Sequence, residues 1–316
     1  MDKKHLVEVK NLVKRYKKAT VNSLDDVSFY VQQGDFFSLL GPNGAGKTTI
    51  VSILTTMLSP TSGSVFINGV NLDKDQSAIR RQIGVIFQNP SLDLNLTAEE
   101  NIRFHTNLYN LYPYRPSFSL MPSNYRDKVM ELAQVLGLEK DIFRPVKTLS
   151  GGMKRKLEII RSLMHQPKIL FLDEPTTGLD PVSRRSLWKY LQTIRASGDI
   201  TIFLTTHYLE EAEKSDYICV IDEGHIVAKG TPNEIKQSLI KNYVLVDADD
   251  RSALSLELKK LKYTITGQGP FEVNLNGLSA QTVIKNISTP LTVLETHTPT
   301  LEDAYIEIIS RNHAQP

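Results

Sequence analysis

Residues 41–49 read Gly41-Pro42-Asn43-Gly44-Ala45-Gly46-Lys47-Thr48-Thr49, which fits the pattern G-x-x-x-x-G-K-[ST] of a phosphate-binding P-loop. The apolar run Phe36–Leu40 precedes this loop and is typical of a buried strand. Apolar residues at helical spacing follow the loop from Thr49 to Leu58. Strand, glycine loop and helix are the order that the motif requires, so the sequence predicts a nucleotide-binding site here.

The residue types of this loop suit the binding of a phosphate chain. Glycines lack a Cβ atom, so successive backbone N–H groups can turn towards one anion, and the helix N-terminus adds its dipole. We expect Lys47 to reach the β- and γ-phosphates of the nucleotide and the hydroxyl of Thr48 to bind Mg²⁺.

Length and composition limit the class of protein. The 316 residues suit one large domain and a smaller one, and 41% hydrophobic and 23% charged residues are ordinary for a soluble globular protein. No run approaches the ~18 apolar residues of a membrane span, and we expect no signal peptide. The net charge of +2 gives no electrostatic case for nucleic acid. One cysteine, Cys219, excludes an internal disulfide and fits a reducing compartment.

Two adjacent acids, Asp173 and Glu174, follow the apolar run Ile169–Leu172, which comes directly after Lys168. Entirely apolar strands are typical of parallel sheets, and ligands lie beyond the carboxyl ends of such strands. We therefore predict that Asp173 contacts Mg²⁺, usually through water, and that Glu174 polarises the attacking water.

Other candidates have two interpretations each when they are taken alone. Tyr16 on a turn either stacks on a nucleotide base or covers the sheet. Gln88 at a strand end either touches Mg²⁺ or positions water, or else is a loop glutamine. His207 either holds a γ-phosphate or is polar surface.

Two predicted helix starts are ambiguous in the same way. Ser150, Gly151 and Gly152 offer a hydroxyl and free N–H groups, which form either an anion site or an ordinary helix cap. Asp180 stands before Pro181, and a helix cap alone accounts for that pair.

The rest of the chain predicts a helical subdomain at about 89–166 and a smaller domain at the C-terminus. Helices are expected from the Thr97 capping box, from an Asn124 cap to Gly137, and from Ser150, with Lys154, Arg155 and Lys156 facing outward. Strand and helix patterns from 243 to 295 suggest a ferredoxin-like domain. We predict a domain at 1–229, a linker at 230–242 and an accessory or regulatory domain at 243–316.

Together these motifs resemble those of ATP-binding-cassette (ABC) ATPases over roughly the first two-thirds of the chain. The similar segments are Gly41–Thr48 (Walker A), Ile169–Asp173 with Glu174 (Walker B), Leu149–Gly152 (signature), Gln88 (Q-loop), Gly178–Asp180 (D-loop), His207 (switch histidine) and Tyr16 (base-stacking aromatic). Seven motifs that follow one another along the chain in the order found in the family favour the functional interpretation of five residues: Tyr16, Gln88, Ser150, Asp180 and His207.

The signature departs from the family pattern at Met153, where Gln is usual, so Ser150 and the glycine N–H groups remain to contact nucleotide. Three segments resemble ATP-binding subunits of daunorubicin-type drug-resistance exporters, whose permease is of the ABC-2 type. They are the Leu-Ser-Gly-Gly-Met signature, the stretch from Gln88 to Asp93 and the tail from Pro299 to Ala304.

The resemblance implies an α/β fold: a P-loop NTPase core with an antiparallel β subdomain and an α-helical subdomain, followed by the small ferredoxin-like domain. It implies ATP and Mg²⁺ as cofactors, with Thr48, Gln88 and Asp173 at the metal and Glu174, His207 and Gln88 in catalysis. The residues that would bind nucleotide are Tyr16, residues 41–49, Ser150–Gly152 and Asp180. In a homodimer, Ser150 would contact the ATP bound to the opposing subunit.

The same resemblance implies a peripheral protein at the cytoplasmic face of the cell membrane. ATP-driven dimerisation and hydrolysis would drive the export of a drug, a lipid or a polysaccharide through a separate permease that docks near 89–166. Two alternatives remain. A soluble ABC protein acting on nucleic acid or ribosomes would carry two cassettes or a coiled-coil insertion, and a GTPase would carry an Asn-Lys-x-Asp motif; the sequence has none of these.

Overall fold

A computed structural model describes residues 5–88, 91–196, 200–239, 243–275, 278–297 and 300–314. The chain divides into two compact units, Met1–Lys229 and Gly230–Pro316. No helix in the described ranges is both long and apolar enough to cross a bilayer.

The first unit alternates strands and helices. Its strands are β1 (His5–Lys14), β2 (Leu24–Gln32), β3 (Phe36–Leu40), β4 (Ser62–Ile67), β5 (Val70–Asn71), β6 (Ile83–Ile86), β7 (Ile169–Asp173), β8 (Thr201–Thr206), β9 (Tyr217–Asp222) and β10 (His225–Gly230). Its helices are α1 (Lys47–Leu54), α2 (Gln76–Arg80), α3 (Ala98–Leu108), α4 (Ser123–Leu136), α5 (Gly151–Leu163), α6 (Pro181–Ala196) and α7 (Leu209–Ala212).

The central sheet has the strand order β10-β9-β3-β8-β7-β6, and the five strands from β9 to β6 in this order run parallel to one another. Every residue of β3, β7 and β8 is buried, which explains their continuous apolar runs. Parallel strands end at one edge of a sheet, so the segments that follow β3, β6, β7 and β8 emerge together there.

A second, antiparallel sheet with the order β2-β1-β4-β5 packs against the central sheet. The rings of Phe29 on β2 and Phe37 on β3 stack with centroids 5.4 Å apart, within one apolar cluster that draws on both sheets. Together these sheets confirm the predicted P-loop core with an antiparallel β subdomain.

Helices α3, α4 and α5 form the predicted helical region around a second apolar cluster. The capping box at Thr97 and Glu100 that begins α3 is confirmed, and Gly137 ends α4 in a left-handed conformation, at φ 64°. The predicted Asn124 cap is wrong. Helix α4 begins at Ser123, two residues before the start that an Asn124 cap implies, because Pro122 occupies the cap position with a φ of −52°.

The second unit contains α8 (Pro232–Leu239), β11 (Tyr243–Asp247), α9 (Arg251–Lys260), β12 (Ile265–Thr266), β13 (Phe271–Asn274), α10 (Ala280–Lys285), β14 (Val293–His297) and α11 (Leu301–Ala314). Its antiparallel sheet has the order β12-β13-β11-β14, and residues of α9 and α10 share one apolar cluster with β11 and β13. This βαββαβ arrangement is the predicted ferredoxin-like fold. Helix α8 lies within the stretch predicted as a linker.

Candidate nucleotide-binding site

The P-loop connects β3 to α1 and depends on glycine at two kinds of position. A Cβ atom on Gly41 would lie 2.3 Å from the carbonyl oxygen of Ile221 in β9, so no larger residue fits there. Gly44 and Gly46 have φ values of 86° and 110°, and Gly46 is the N-cap of α1. The loop therefore closes tightly on the sheet and exposes backbone N–H groups at a helix N-terminus.

Lys47 is the first residue of α1, and its side chain is only 5% exposed. Its Nζ donates hydrogen bonds to the carbonyl oxygens of Gly41 at 2.8 Å and Pro42 at 3.0 Å, and lies 3.4 Å from Oε1 of Glu174. The ammonium group is thus held between the loop carbonyls and the acid that follows β7.

Glu174 is the point at which the predicted catalytic side chains meet. Its Oε1 lies 3.1 Å from Nδ1 of His207, and its Oε2 accepts hydrogen bonds from Nε2 of Gln88 and Oγ1 of Thr177, each at 3.4 Å. The backbone of Glu174 is left-handed, with a φ of 45°, which is uncommon for a residue other than glycine and is found at functional sites.

Asp173 is buried at the end of β7, and its carboxylate accepts a hydrogen bond from the hydroxyl of Thr205. Burial raises the pKa of Asp173 above its ordinary value, whereas the hydrogen bond from Thr205 opposes that shift. The carboxylate of Asp173 and the hydroxyl of Thr48 are oxygen donors of the kind that Mg²⁺ takes.

These segments enclose a cavity of about 460 Å³ at the carboxyl edge of the central sheet. Its lining includes P-loop residues from Asn43 to Thr49 together with Gln88, Glu174 and His207. The hydroxyl of Tyr16 lies 3.4 Å from Oγ1 of Thr49, and its side chain is 45% exposed beside the loop.

Ser150 and Asp180 do not line this cavity; both cap helices. Oγ of Ser150 accepts a hydrogen bond from the backbone N–H of Met153 at 3.3 Å at the start of α5. Oδ1 of Asp180 accepts from the N–H groups of Val182 and Ser183, each at 3.0 Å, at the start of α6. Within one chain, the structure separates these two residues from the P-loop site.

The expectation that Arg155 faces outward is wrong. Its side chain is buried, and the guanidinium donates to the carbonyl oxygens of Phe87, Asp173 and Pro175. Those carbonyl oxygens give the buried guanidinium the hydrogen-bond acceptors that the apolar residues of α5 cannot provide. A signal was available in the sequence, because Glu158 stands three residues after Arg155 and can pair with it on one helical face.

Glu211 on α7 is a second residue that sequence reasoning did not single out. It is buried and accepts hydrogen bonds from the hydroxyls of Thr176 and Thr206. Oγ1 of Thr206 in turn accepts a hydrogen bond from the N–H of Tyr208 at 2.9 Å. Glu211 thereby fixes the turn that carries His207.

Comparison with known proteins gives the family. A family model described as ABC transporter matches residues 24–177. The chain is 39% identical over 266 residues to "Nod factor export ATP-binding protein I" of Ralstonia nicotianae, covering 84% of this chain and 79% of that protein. It is 42% identical over 231 residues to "Doxorubicin resistance ATP-binding protein DrrA" of Mycobacterium tuberculosis, covering 73% of this chain and 67% of that protein.

This chain belongs to the ABC transporter family. Among solved structures, an ATP-binding subunit of an ABC transporter is 32% identical with a TM-score of 0.63 and covers 74% of this chain and 92% of that one. A dimeric ATP-binding cassette described as a post-hydrolysis state bound to ADP and phosphate is 27% identical, also with a TM-score of 0.63, and covers 71% of this chain and 98% of that one.

As a member of this family, the protein is an ATP-binding and ATP-hydrolysing subunit of the exporter type of ABC transporter. This finding favours the transporter reading over that of a soluble ABC ATPase that acts on nucleic acid or ribosomes. The predicted α/β fold class is confirmed as well.

Proposed function

We propose that this ABC ATPase binds MgATP in the cavity beside the P-loop and that Glu174 orients and activates the attacking water. The observation that carries the proposal is the convergence of Gln88, His207 and Lys47 on the Glu174 carboxylate, each within 3.4 Å or less. A carboxylate held in this way can accept a proton from water while its neighbours contact phosphate oxygens.

Thr48, Asp173 and Gln88 are the residues that would hold Mg²⁺. Their oxygens suit a hard divalent cation, and Thr48 and Gln88 both line the cavity beside the P-loop. When bound, the metal neutralises charge that develops on the β- and γ-phosphates. His207 would contact the γ-phosphate, and Tyr16 would stack on the base.

The active unit that we propose is a homodimer with two composite sites. Ser150 is exposed at the N-terminus of α5, where a hydroxyl and free N–H groups suit a phosphate, yet it does not line the cavity of its own chain. An opposing subunit would bring Ser150, Gly151, Gly152 and Asp180 to the nucleotide. The dimeric form of a solved relative supports this arrangement.

A groove between the core and the helical region supports the proposal that a separate permease docks there. This groove, of about 450 Å³, has Arg80 of α2 and Arg161 of α5 in its lining, and none of the lining residues that the structure describes is acidic. The partner segment that complements these two guanidinium groups is one that carries a carboxylate.

Three rings that pack on one another line this groove. Tyr109 lies between His105 and His165, with ring centroids 4.6 Å and 4.5 Å away. Burial lowers the pKa of His165 and lowers that of His105 to about 3, so both rings are neutral near pH 7. Nε2 of His105 and Nδ1 of His165 are buried without a hydrogen-bond partner within the described part of the chain.

The remaining parts of the proposal concern place and cargo. A partner permease would hold this subunit at the cytoplasmic face of the membrane as a peripheral protein. The cargo would be a drug, a lipid or a polysaccharide, a range consistent with relatives named for Nod factor export and doxorubicin resistance.

Co-purification with a permease tests the transport function. When this chain is co-expressed with the membrane protein encoded beside it, we expect a tagged permease to retain it in detergent extracts. Arg80→Glu should reduce the retained fraction because it places a carboxylate opposite a carboxylate. Arg81→Glu, which changes the neighbouring exposed arginine outside the groove lining, should not. Equal retention of both variants would place the docking surface elsewhere, and failure of the unaltered chain to associate would contradict a transporter subunit.

A further inference from the structure

We infer that Arg155 is a positioning residue for ATP hydrolysis. Its side chain holds the segments that carry Gln88 and Glu174 at a fixed separation and joins both segments to α5. This inference rests on the roles proposed for Gln88 and Glu174. Arg155 itself has no contact with the cavity that those two residues line.

The hydrogen bonds of Arg155 go to carbonyls immediately beside those two residues. Nη1 donates to the carbonyl oxygen of Phe87, the residue before Gln88. Nε donates to the carbonyl oxygen of Pro175 at 3.0 Å and Nη2 to that of Asp173 at 3.4 Å, so the backbone is held on both sides of Glu174. One side chain therefore connects the end of β6 with the end of β7.

The geometry of guanidinium makes this connection rigid. Its N–H groups lie in one plane at fixed angles, so three carbonyls can be satisfied together only if the two segments keep one relative position. That position is the one in which Nε2 of Gln88 lies 3.4 Å from Oε2 of Glu174. The ammonium group of a lysine presents its donors from a single point and cannot span the same three oxygens.

Glu158 extends the connection to the other end of the segment that follows β6. It is buried, pairs with Nη1 of Arg155 at 2.9 Å and accepts a hydrogen bond from the N–H of Ser91 at 3.1 Å. Arg161 donates to the carbonyl oxygen of Ser91 at 2.7 Å and to its Oγ at 2.6 Å. Phe87 and Ser91, on either side of Gln88, are thus both attached to α5.

A contribution to stability alone does not account for this arrangement. Removing two charges from water costs several kcal/mol per ion, and a buried pair is often no more stabilising than apolar residues of similar volume. What the pair does supply is a defined geometry, and α5 also carries Ser150 at its N-terminus. A displacement of α5 would consequently move Gln88 and Glu174 with it.

Arg155→Lys separates positioning from charge. We expect its affinity for ATP to match that of the unaltered chain, because no P-loop contact changes, while the single-turnover rate of hydrolysis falls on the order of 10- to 100-fold. Lys154→Met removes a charge from the adjacent position of α5 and should leave both quantities unchanged. Glu158→Gln, which keeps the shape and removes the counter-charge, should lower the rate without lowering ATP affinity.

A double-mutant cycle with Glu174→Gln distinguishes positioning from a structural role. If Arg155 acts through Glu174, Arg155→Lys should add little to the loss already caused by Glu174→Gln. Fully additive losses would overturn the inference, as would an Arg155→Lys chain that hydrolyses ATP at the original rate or one that loses ATP affinity and melting temperature together. A Glu174→Gln chain that is itself fully active would instead contradict the proposed function, so the two failures are distinguishable.

Discussion

The proposed mechanism concentrates the chemistry of the site in one residue, Glu174. Its backbone adopts a left-handed conformation at the end of a fully buried strand, and Lys47, Gln88 and His207 surround its carboxylate. Such a conformation costs of the order of 1–3 kcal/mol and persists only where the surrounding structure enforces it. Here the N–H of Glu174, which donates to Thr205, contributes to that enforcement.

Replacing this carboxylate by an amide tests its role. Glu174→Gln should bind ATP about as well as the unaltered chain and hydrolyse it far more slowly, because the amide keeps the shape but cannot accept a proton. The measurement is single-turnover hydrolysis at saturating MgATP, with equilibrium ATP binding as the control. A rate close to that of the unaltered chain would remove Glu174 from the mechanism.

Individual residues also show where sequence reasoning reaches its limit. The sequence predicts the P-loop and the Asp173–Glu174 pair because local spacing fixes their residue types. It predicts a surface position for Arg155 because polar positions on a helix usually form its solvent-exposed face. Its actual partners are the carbonyls of Phe87, Asp173 and Pro175, which lie far from it in sequence. Single-sequence periodicity contains no information on such contacts.

At the scale of elements, strands were predicted more accurately than helix ends. Buried parallel strands leave continuous apolar runs, and β3, β7 and β8 lie where those runs predicted them. Helix α1 was expected to continue to Leu58, but it ends at Leu54. Thr56 has a φ of 63°, so the chain leaves the helix there, and Met57 is exposed despite its apolar spacing.

The contact between α5 and α6 supplies a test at this scale. A Cβ atom on Gly152 would lie 2.4 Å from Oγ and 2.8 Å from Cβ of Ser183, whose hydroxyl donates to Asp180, whereas a Cβ atom on Gly151 would meet nothing within 4 Å. Gly152→Ala should therefore destabilise the protein by about 1–3 kcal/mol. Gly151→Ala should be neutral or stabilising by up to about 1 kcal/mol.

Chemical denaturation of the two glycine variants measures these free energies of unfolding. Adding Ser183→Gly to Gly152→Ala removes the colliding atoms and should recover part of the stability lost to the clash, although the hydrogen bond to Asp180 is lost with the hydroxyl. Equal stabilities of Gly151→Ala and Gly152→Ala would show that α5 and α6 do not approach each other this closely in solution.

For the molecule as a whole, the cavity proposed to bind nucleotide belongs to one unit. Every residue that lines the cavity lies before Lys229, and the second unit has its own sheet and apolar cluster. Helix α8 contacts α11 within that second unit, so a cut inside α8 would divide the second unit.

We expect a chain shortened to residues 1–230, which keeps β10 whole, to bind ATP with the affinity of the full chain. Calorimetric titration checks this, and a shortened chain that melts cooperatively yet fails to bind ATP would contradict it.

The proposed dimer makes the most demanding prediction, because it concerns two chains. If Ser150 serves the ATP of the opposing subunit, Lys47→Ala and Ser150→Arg damage opposite halves of each composite site. Lys47→Ala removes the ammonium held beside the P-loop carbonyls, and Ser150→Arg fills the start of α5 with a bulky cation. Either variant alone forms a homodimer in which both sites have one damaged half, so each homodimer should be inactive.

A heterodimer of the two variants differs from both homodimers. One of its sites contains both defects, while the other pairs an intact P-loop with an intact Ser150, so mixing should restore part of the ATPase activity. Differently tagged chains allow the heterodimer to be purified, and trapped nucleotide is counted alongside turnover, because a requirement for two working sites could suppress turnover alone. If Ser150 served its own chain, each subunit of the heterodimer would keep its own defect, and the mixture would show neither ATPase activity nor about one trapped nucleotide per dimer.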